Sequence, residues 1–305
     1  MIKVKSFNLP LWIGGVLTSI FIVLAIIGPW IAPYTITDAK ILELSPTGEL
    51  KLTPAPPSEE HWLGRDRLGR DIFSLLLHGL KYTIFITLLV ALIRLLFGFF
   101  IGLYQGMNGK EVSRGLSIGY LGAIPQILLL YIILLPFMEP EQPIWIAVLI
   151  QCIVMALFGI PAISASVQEK TLLLKERLSV LVSQTMGASR GWIIRKHILP
   201  ALKEDLIMMF VFEMILVLNL IGQLSVLHIF LGGTNVREDQ FGIEYLSKTF
   251  EWLGLIGQDQ NYIVVYPWLM GILVGSYLLL LLSFYLLSKG LERKYRQQYS
   301  KYPYM

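Results

Sequence analysis

The sequence predicts an all-α, polytopic membrane protein with six transmembrane helices and both termini in the cytoplasm. Three observations carry this: an apolar composition, six long apolar blocks and a lopsided distribution of Lys and Arg. Of 305 residues, 55% are apolar and only 15% charged, whereas charged residues alone make up about a quarter of a soluble domain. That much apolar surface has to meet lipid.

The blocks run over residues 11–32, 82–104, 116–137, 144–165, 206–231 and 263–288. Each is long enough to cross about 30 Å of hydrocarbon at 1.5 Å per residue, and each must be helical because lipid offers the backbone no hydrogen bonds. Lys3 and Lys5 precede the first block in the manner of a signal peptide, but the block is too long for one and reads as an uncleaved span. In the second, Gly98, Gly102 and Gly106 recur every fourth residue and open a groove for close helix packing. Pro125, Pro136 and Pro161 are expected to bend the third and fourth. The single cysteine, Cys152, lies inside an apolar block, which excludes an internal disulfide and favours a small core residue.

Orientation follows from charge, because cytoplasmic loops near span ends collect Lys and Arg. With the N-terminus inside, the cytoplasmic pieces hold 16 basic and 6 acidic residues and the outer pieces 8 and 14. Lys289, Arg293, Lys294, Arg296 and Lys301 form a basic tail suited to lipid headgroups. The chain thus divides into residues 1–81, a first span plus an extracellular loop, 82–288, a core with a cytoplasmic loop at 166–205 and an extracellular loop at 232–262, and the tail 289–305.

In the last outer loop, Phe241, Ile243, Tyr245, Leu246, Phe250, Trp252 and Leu253 mix with Glu244, Lys248 and Glu251 as in a short interfacial helix. The cytoplasmic loop is more specific. Over residues 172–186, Leu174, Leu178, Leu181, Val182, Thr185 and Met186 fall at helical spacing, with Lys175, Glu176, Arg177, Ser179 and Gln184 on the other side. Gly187 suits a C-cap, Ser189 an N-cap for the next helix, and Pro200 the first turn of span five, so a helix, a tight turn and a second helix are expected.

These residues resemble the cytoplasmic signature loop of binding-protein-dependent ABC importer permeases, which reads Glu-Ala-Ala, three residues, Gly, then a fixed spacing to Leu-Pro. Gly187, Ala188 and Ser189, followed by His197, Leu199 and Pro200, match the second half; Leu181, Val182 and Ser183 stand where the family has Glu-Ala-Ala. Before span two, the run from His61 to Asp71, with Gly64, Asp66, Gly69, Arg70 and Asp71, is similar to a motif of the peptide and nickel subfamily, and Ser74, Gly79 and Lys81 continue it. Trp62 and Arg65 depart from it. In residue terms, Gly64 and Gly69 permit bends and Asp71 can cap the helix that follows. Beyond Pro200 the likeness thins.

The resemblance implies a divergent C-type permease subunit with the type I importer fold, importing peptides or, next, metal complexes. Implied partners are a second permease chain, ATP-binding subunits on the loop 166–205 and an extracellular substrate-binding protein; no nucleic acid is implied. The chain itself carries no phosphate-binding loop, since residues 106–111, Gly-Met-Asn-Gly-Lys-Glu, are too short and lack the magnesium hydroxyl, so ATP and magnesium are expected on the partner. His61, His78, His197 and His228 are scattered and no nucleophile motif is present, leaving no catalytic residue, cofactor or metal site to expect. A non-transporting structural or sensory subunit derived from such a permease is the alternative, favoured by Leu181 in the acidic position and opposed by the intact Gly187 to Pro200 spacing. An ion-coupled carrier would show inverted repeats, and none is seen. Finally, Arg94 and Glu213 lie inside spans two and five at similar depths, so each needs a partner and the two are expected to meet.

Overall fold

The computed structural model describes residues 8–36, 42–44, 50–109, 125–137, 140–239 and 242–299. Its helices are α1 (Leu9–Ile31), α2 (Ile72–Met107), α3 (Gln126–Leu134), α4 (Ile144–Lys175), α5 (Leu178–Thr185), α6 (Arg190–Ile193), α7 (Leu199–Val226), α8 (Trp252–Asp259) and α9 (Pro267–Tyr299). A π-helical turn, Ile194–Ile198, joins α6 to α7, and two antiparallel hairpins, β1–β2 (Leu42–Leu44, Leu50–Leu52) and β3–β4 (Thr234–Asp239, Gly242–Ser247), lie in the loops.

Among the described residues, five helices are long and apolar enough to span a membrane: α1, α2, α4, the α6–α7 unit and α9. Much of the expected third span, 116–124, lies outside the described residues; the rest is α3 and a 3-10 turn, Leu135–Phe137. The helices outrun the apolar blocks. With 36 residues, α2 starts at Ile72, and α4 runs to Lys175. Apolar runs mark where lipid lies, whereas a helix ends where its caps are. Asp71 Oδ2 accepts from the Ser74 backbone N–H at 2.8 Å, which sets the start of α2. The basic tail likewise continues α9 as far as Tyr299.

Three local expectations need correction. The helix foreseen over 172–186 is broken at Glu176–Arg177, because Lys175 Nζ donates to the Gly106 and Met107 carbonyls at the end of α2 and Arg177 turns extended. Residues 242–247, expected in a helix, pair with Thr234–Asp239 as a hairpin, and only Trp252–Asp259 is helical. Pro125 starts α3 rather than bending a span, and Pro136 lies in the 3-10 turn, while Pro161 lies inside α4.

The main core joins α2, α3, α4, α7, α8 and α9, with α1 laid along α9 and α2. The glycine stripe of α2 packs against α4 within the chain: a Cβ on Gly98 would come 2.7 Å from Ile163, and one on Gly106 2.7 Å from Thr171, while Gly102 abuts Ser164 and Val167. A second cluster, including Met107, Val167, Leu174, Val180, Ile193, Ile198 and Leu202, knits the C-terminal ends of α2 and α4 to α5, α6 and the start of α7.

Candidate functional site

Past the end of α4, α5 stops in a reciprocal pair of turn bonds, with Gly187 N–H donating to the Gln184 carbonyl and Ala188 N–H to that of Ser183, both at 3.0 Å. Closing this pair puts Gly187 at φ +82°, where a side chain is strained. Ser189 then caps α6 by accepting from the Trp192 N–H at 3.4 Å. The turn is pinned to the helix that follows. Ser183 Oγ lies 2.7 Å from the Ser179 carbonyl and 3.1 Å from His197 Nε2. One hydroxyl has one proton, which goes to the carbonyl, so Nε2 carries its own proton and donates to Ser183. Val180 faces inward, only 1% exposed, which contributes about 1.5–3 kcal/mol to holding α5 down.

The opposite face is bare. Leu178 is 76% exposed and Met186 81%, with Leu181 and Val182 also exposed. Of the residues singled out in this loop, the structure gathers Leu181, Val182, Ser183, Gly187, Ala188, Ser189 and His197 at one protruding corner, and Leu199 and Pro200 at the start of α7 behind it.

Inside the membrane region, Arg94 and Glu213 meet. The guanidinium NH1 donates to Glu213 Oε2 at 3.1 Å, while Nε and NH2 donate to the Met155 carbonyl at 3.1 and 2.7 Å. Both side chains are buried, so this joins α2, α4 and α7 through charges that lipid cannot solvate. Gly159 makes room for it, since a Cβ there would collide with the guanidinium. Sequence reading missed Gly159, which carries no signal of its own.

Ahead of α2, Gly64 and Gly69 take positive φ, Asp66 accepts from Arg70 Nε at 2.8 Å, and His61 Nδ1 lies 2.8 Å from Asp71 Oδ1. Arg67, also missed, ties this segment to the loop between α7 and α9: it donates to Asp259 at 2.9 Å and Glu244 at 2.6 Å and lies over the Tyr262 ring. Burial works against its charge, yet Asp259 and Glu244 hold the guanidinium above its ordinary pKa. Asp259 is pushed up by burial, with Arg67 opposing. Nearby, burial raises the Glu251 carboxyl to about 7 against the hydrogen bonds from the Leu253 and Gly254 backbone. Among the described residues no group of three His, Cys, Asp or Glu is placed to hold a metal ion. What the arrangement offers is a clasp between the segment ahead of α2 and the loop between α7 and α9, a buried ionic joint between helices and an exposed apolar corner at α5.

Comparison with known proteins gives a consistent likeness. The family described as binding-protein-dependent transport system inner membrane component matches residues 94–297. The chain is 31% identical over 180 residues to the dipeptide transport system permease protein DppC of Bacillus subtilis (strain 168), covering 58% of this chain and 51% of that one. It is 30% identical over 203 residues to the oligopeptide transport system permease protein OppC of the same strain, covering 66% and 61%. To the glutathione transport system permease protein GsiD of Shigella dysenteriae serotype 1 (strain Sd197) it is 29% identical over 281 residues, covering 90% and 81%. The matches to the two Bacillus proteins thus span less than two thirds of those relatives' length.

Proposed function

The chain belongs to the family of binding-protein-dependent transport system inner membrane components, as a multi-pass permease of the plasma membrane, and on that premise we propose that it moves peptides or a related small solute inward for an ATP-driven importer. It does so as one of two permease chains, with six spans, both termini cytoplasmic, and an external binding protein delivering the cargo. ATP and magnesium act on separate subunits that dock on the corner formed by α5, the turn at Gly187 and α6. The names of the relatives, which speak of dipeptides, oligopeptides and glutathione, support the cargo class.

The observation that carries this reading is the exposed apolar corner fixed to a spanning helix. A free loop with bare Leu178 and Met186 would move without consequence. Here Ser183 and His197 fasten α5 to the unit that continues into α7, and Arg94 with Glu213 fastens α7 to α2 and α4. A push on the corner is therefore delivered to three membrane helices as a rigid-body movement, the logic of alternating access. The same subunit without transport would keep the fold and lose the ATP dependence.

The test is to purify the chain with its co-purifying subunits, reconstitute them with the external binding protein, and follow uptake of labelled di- to pentapeptides. ATP-dependent accumulation is expected. A complex that hydrolyses ATP but accumulates none of these peptides sinks the cargo class. Orientation is tested separately: a cysteine at Arg237 should react with an impermeant thiol reagent in intact cells and one at Met186 should not.

A further inference from the structure

Beside the turn lies a cleft of about 570 Å³ lined by Ser189, Gly191, Trp192, Arg195 and Lys196. Arg195 and Lys196 are exposed, and neither has an ion-pair or hydrogen-bond partner among the described residues. The wider stretch is one-signed. Residues 177–203 contain Arg177, Arg190, Arg195, Lys196 and Lys203 and no Asp or Glu. The cleft adjoins the turn that ends α5, whose outer face is Leu178, Leu181, Val182 and Met186. Apolar knobs beside a cationic cleft without an acidic partner among the described residues describe one kind of complement.

We infer that the ATP-hydrolysing chain received by this corner presents an apolar groove rimmed by aspartate and glutamate, and that one of those carboxylates enters the cleft between Trp192 and Lys196. This rests on the docking role proposed above and names the chemistry of the partner. The recognising charge has moved. Where the resembled signature has an acid on α5, this chain has Leu181, and the charge that selects the partner lies on α6 and the π-helical turn with the opposite sign. Charges at such a rim act mainly on encounter and partner choice, while the desolvated apolar contacts carry most of the affinity.

Anionic lipid headgroups share the carboxylate's charge, but the geometry favours a protein. Arg195 is ten residues before Asp205 in the same helical unit, about 15 Å along its axis, whereas the headgroup layer adds only about 5–8 Å to each side of the hydrocarbon. Glu204 and Asp205 lie along the chain between the cleft and the apolar run of α7, with Asp205 held by Lys170 at 2.7 Å. An anionic headgroup at the start of that run would meet those acids before the cleft.

The complex purified from native membranes provides the experiment. A zero-length carbodiimide, which joins an amine to a carboxylate as an amide with loss of water, should link Lys196 to an Asp or Glu of the ATP-hydrolysing chain. Lys196→Arg should lose that link and keep the partner. The double variant Arg195→Glu, Lys196→Glu should retain the partner at least about tenfold less well at about 50 mM salt, with a smaller difference from wild type at about 500 mM because screening weakens the rim. Continued protection of the buried Cys152 from thiol reagent reports that each variant is folded. Undiminished retention by the double variant, or absence of a Lys196 link in the wild-type complex, overturns the inference and leaves the docking role standing. Loss of co-purified phosphatidylglycerol with the partner retained assigns the cleft to lipid and overturns it equally. Failure of the wild-type chain to bring down any ATP-hydrolysing subunit removes the docking role itself, and the inference with it.

Discussion

Replacing Gly159 by Ala puts one methyl group where the Arg94 guanidinium lies, with the new Cβ 2.5 Å from Cζ. The helix backbone of α4 cannot retreat, so Arg94 must. It then gives up its bonds to the Met155 carbonyl at 3.1 and 2.7 Å and to Glu213 at 3.1 Å. Glu213, only 6% exposed, is left as an unpaired buried charge. Breaking a buried pair in this way costs about 3–5 kcal/mol. For a chain of this size that converts to a fall in melting temperature of about 5–8 °C. The assay is thermal unfolding in detergent, followed by the exposure of Cys152 to a thiol-reactive dye. Gly271→Ala is the control, because a Cβ there meets nothing within 4 Å and the helix should gain about 0.5–1 kcal/mol. Adding Arg94→Ala and Glu213→Gln to Gly159→Ala removes both the clash and the orphaned charge, and should recover at least half of the loss. If Gly159→Ala melts within about 1 °C of wild type, the joint does not hold the three helices as described.

Two further outcomes test the loop between α7 and α9 and the segment clasped to it. Arg67→Ala leaves Asp259, 1% exposed, without its cation, and should loosen the β3–β4 hairpin by about 3–5 kcal/mol, read as faster hydrogen exchange in residues 234–247; unchanged exchange there would show that the clasp is idle. Glu251, with its carboxyl raised to about 7, makes stability pH-dependent: the folded state holds a proton that the unfolded chain releases above about 4.5, so this contribution is present below that pH and lost by about 7, up to about 3 kcal/mol in all. Glu251→Gln should flatten that decline between about pH 5 and 7, and parallel melting curves for the two proteins would refute it.

What could be read in the sequence was whatever depends on near neighbours or on depth in the membrane. Gly187, Ser189 and Pro200 announce a cap, a cap and a first turn, and they occupy those positions. The meeting of Arg94 and Glu213 followed from counting residues from the span ends, since a bilayer converts sequence position into height. The β3–β4 hairpin was misread because adjacent Tyr245 and Leu246 blur the period of two, although Gly232 and Gly233 before it and Gly242 at its tip, all at positive φ, were the available sign. Arg67 could not be found at all: its partners Glu244 and Asp259 are 177 and 192 residues away, and nothing local marks it. The bare face of α5 is a third kind of case. An apolar stripe looks the same whether it turns inward or outward, and only the burial of Val180 on the other side shows that this one turns outward.

The most direct measurement is ATP hydrolysis by the reconstituted complex, stimulated by cargo-loaded binding protein, in the wild type and in Gly187→Val. At φ +82° a β-branched residue is strained, so the corner must refold while the rest of the chain stays in place. Stimulated hydrolysis and uptake should both fall to the unstimulated level, with insertion and Cys152 protection unchanged. Normal stimulation by a folded Gly187→Val complex would contradict the claim that this corner transmits the work of ATP hydrolysis to the membrane helices.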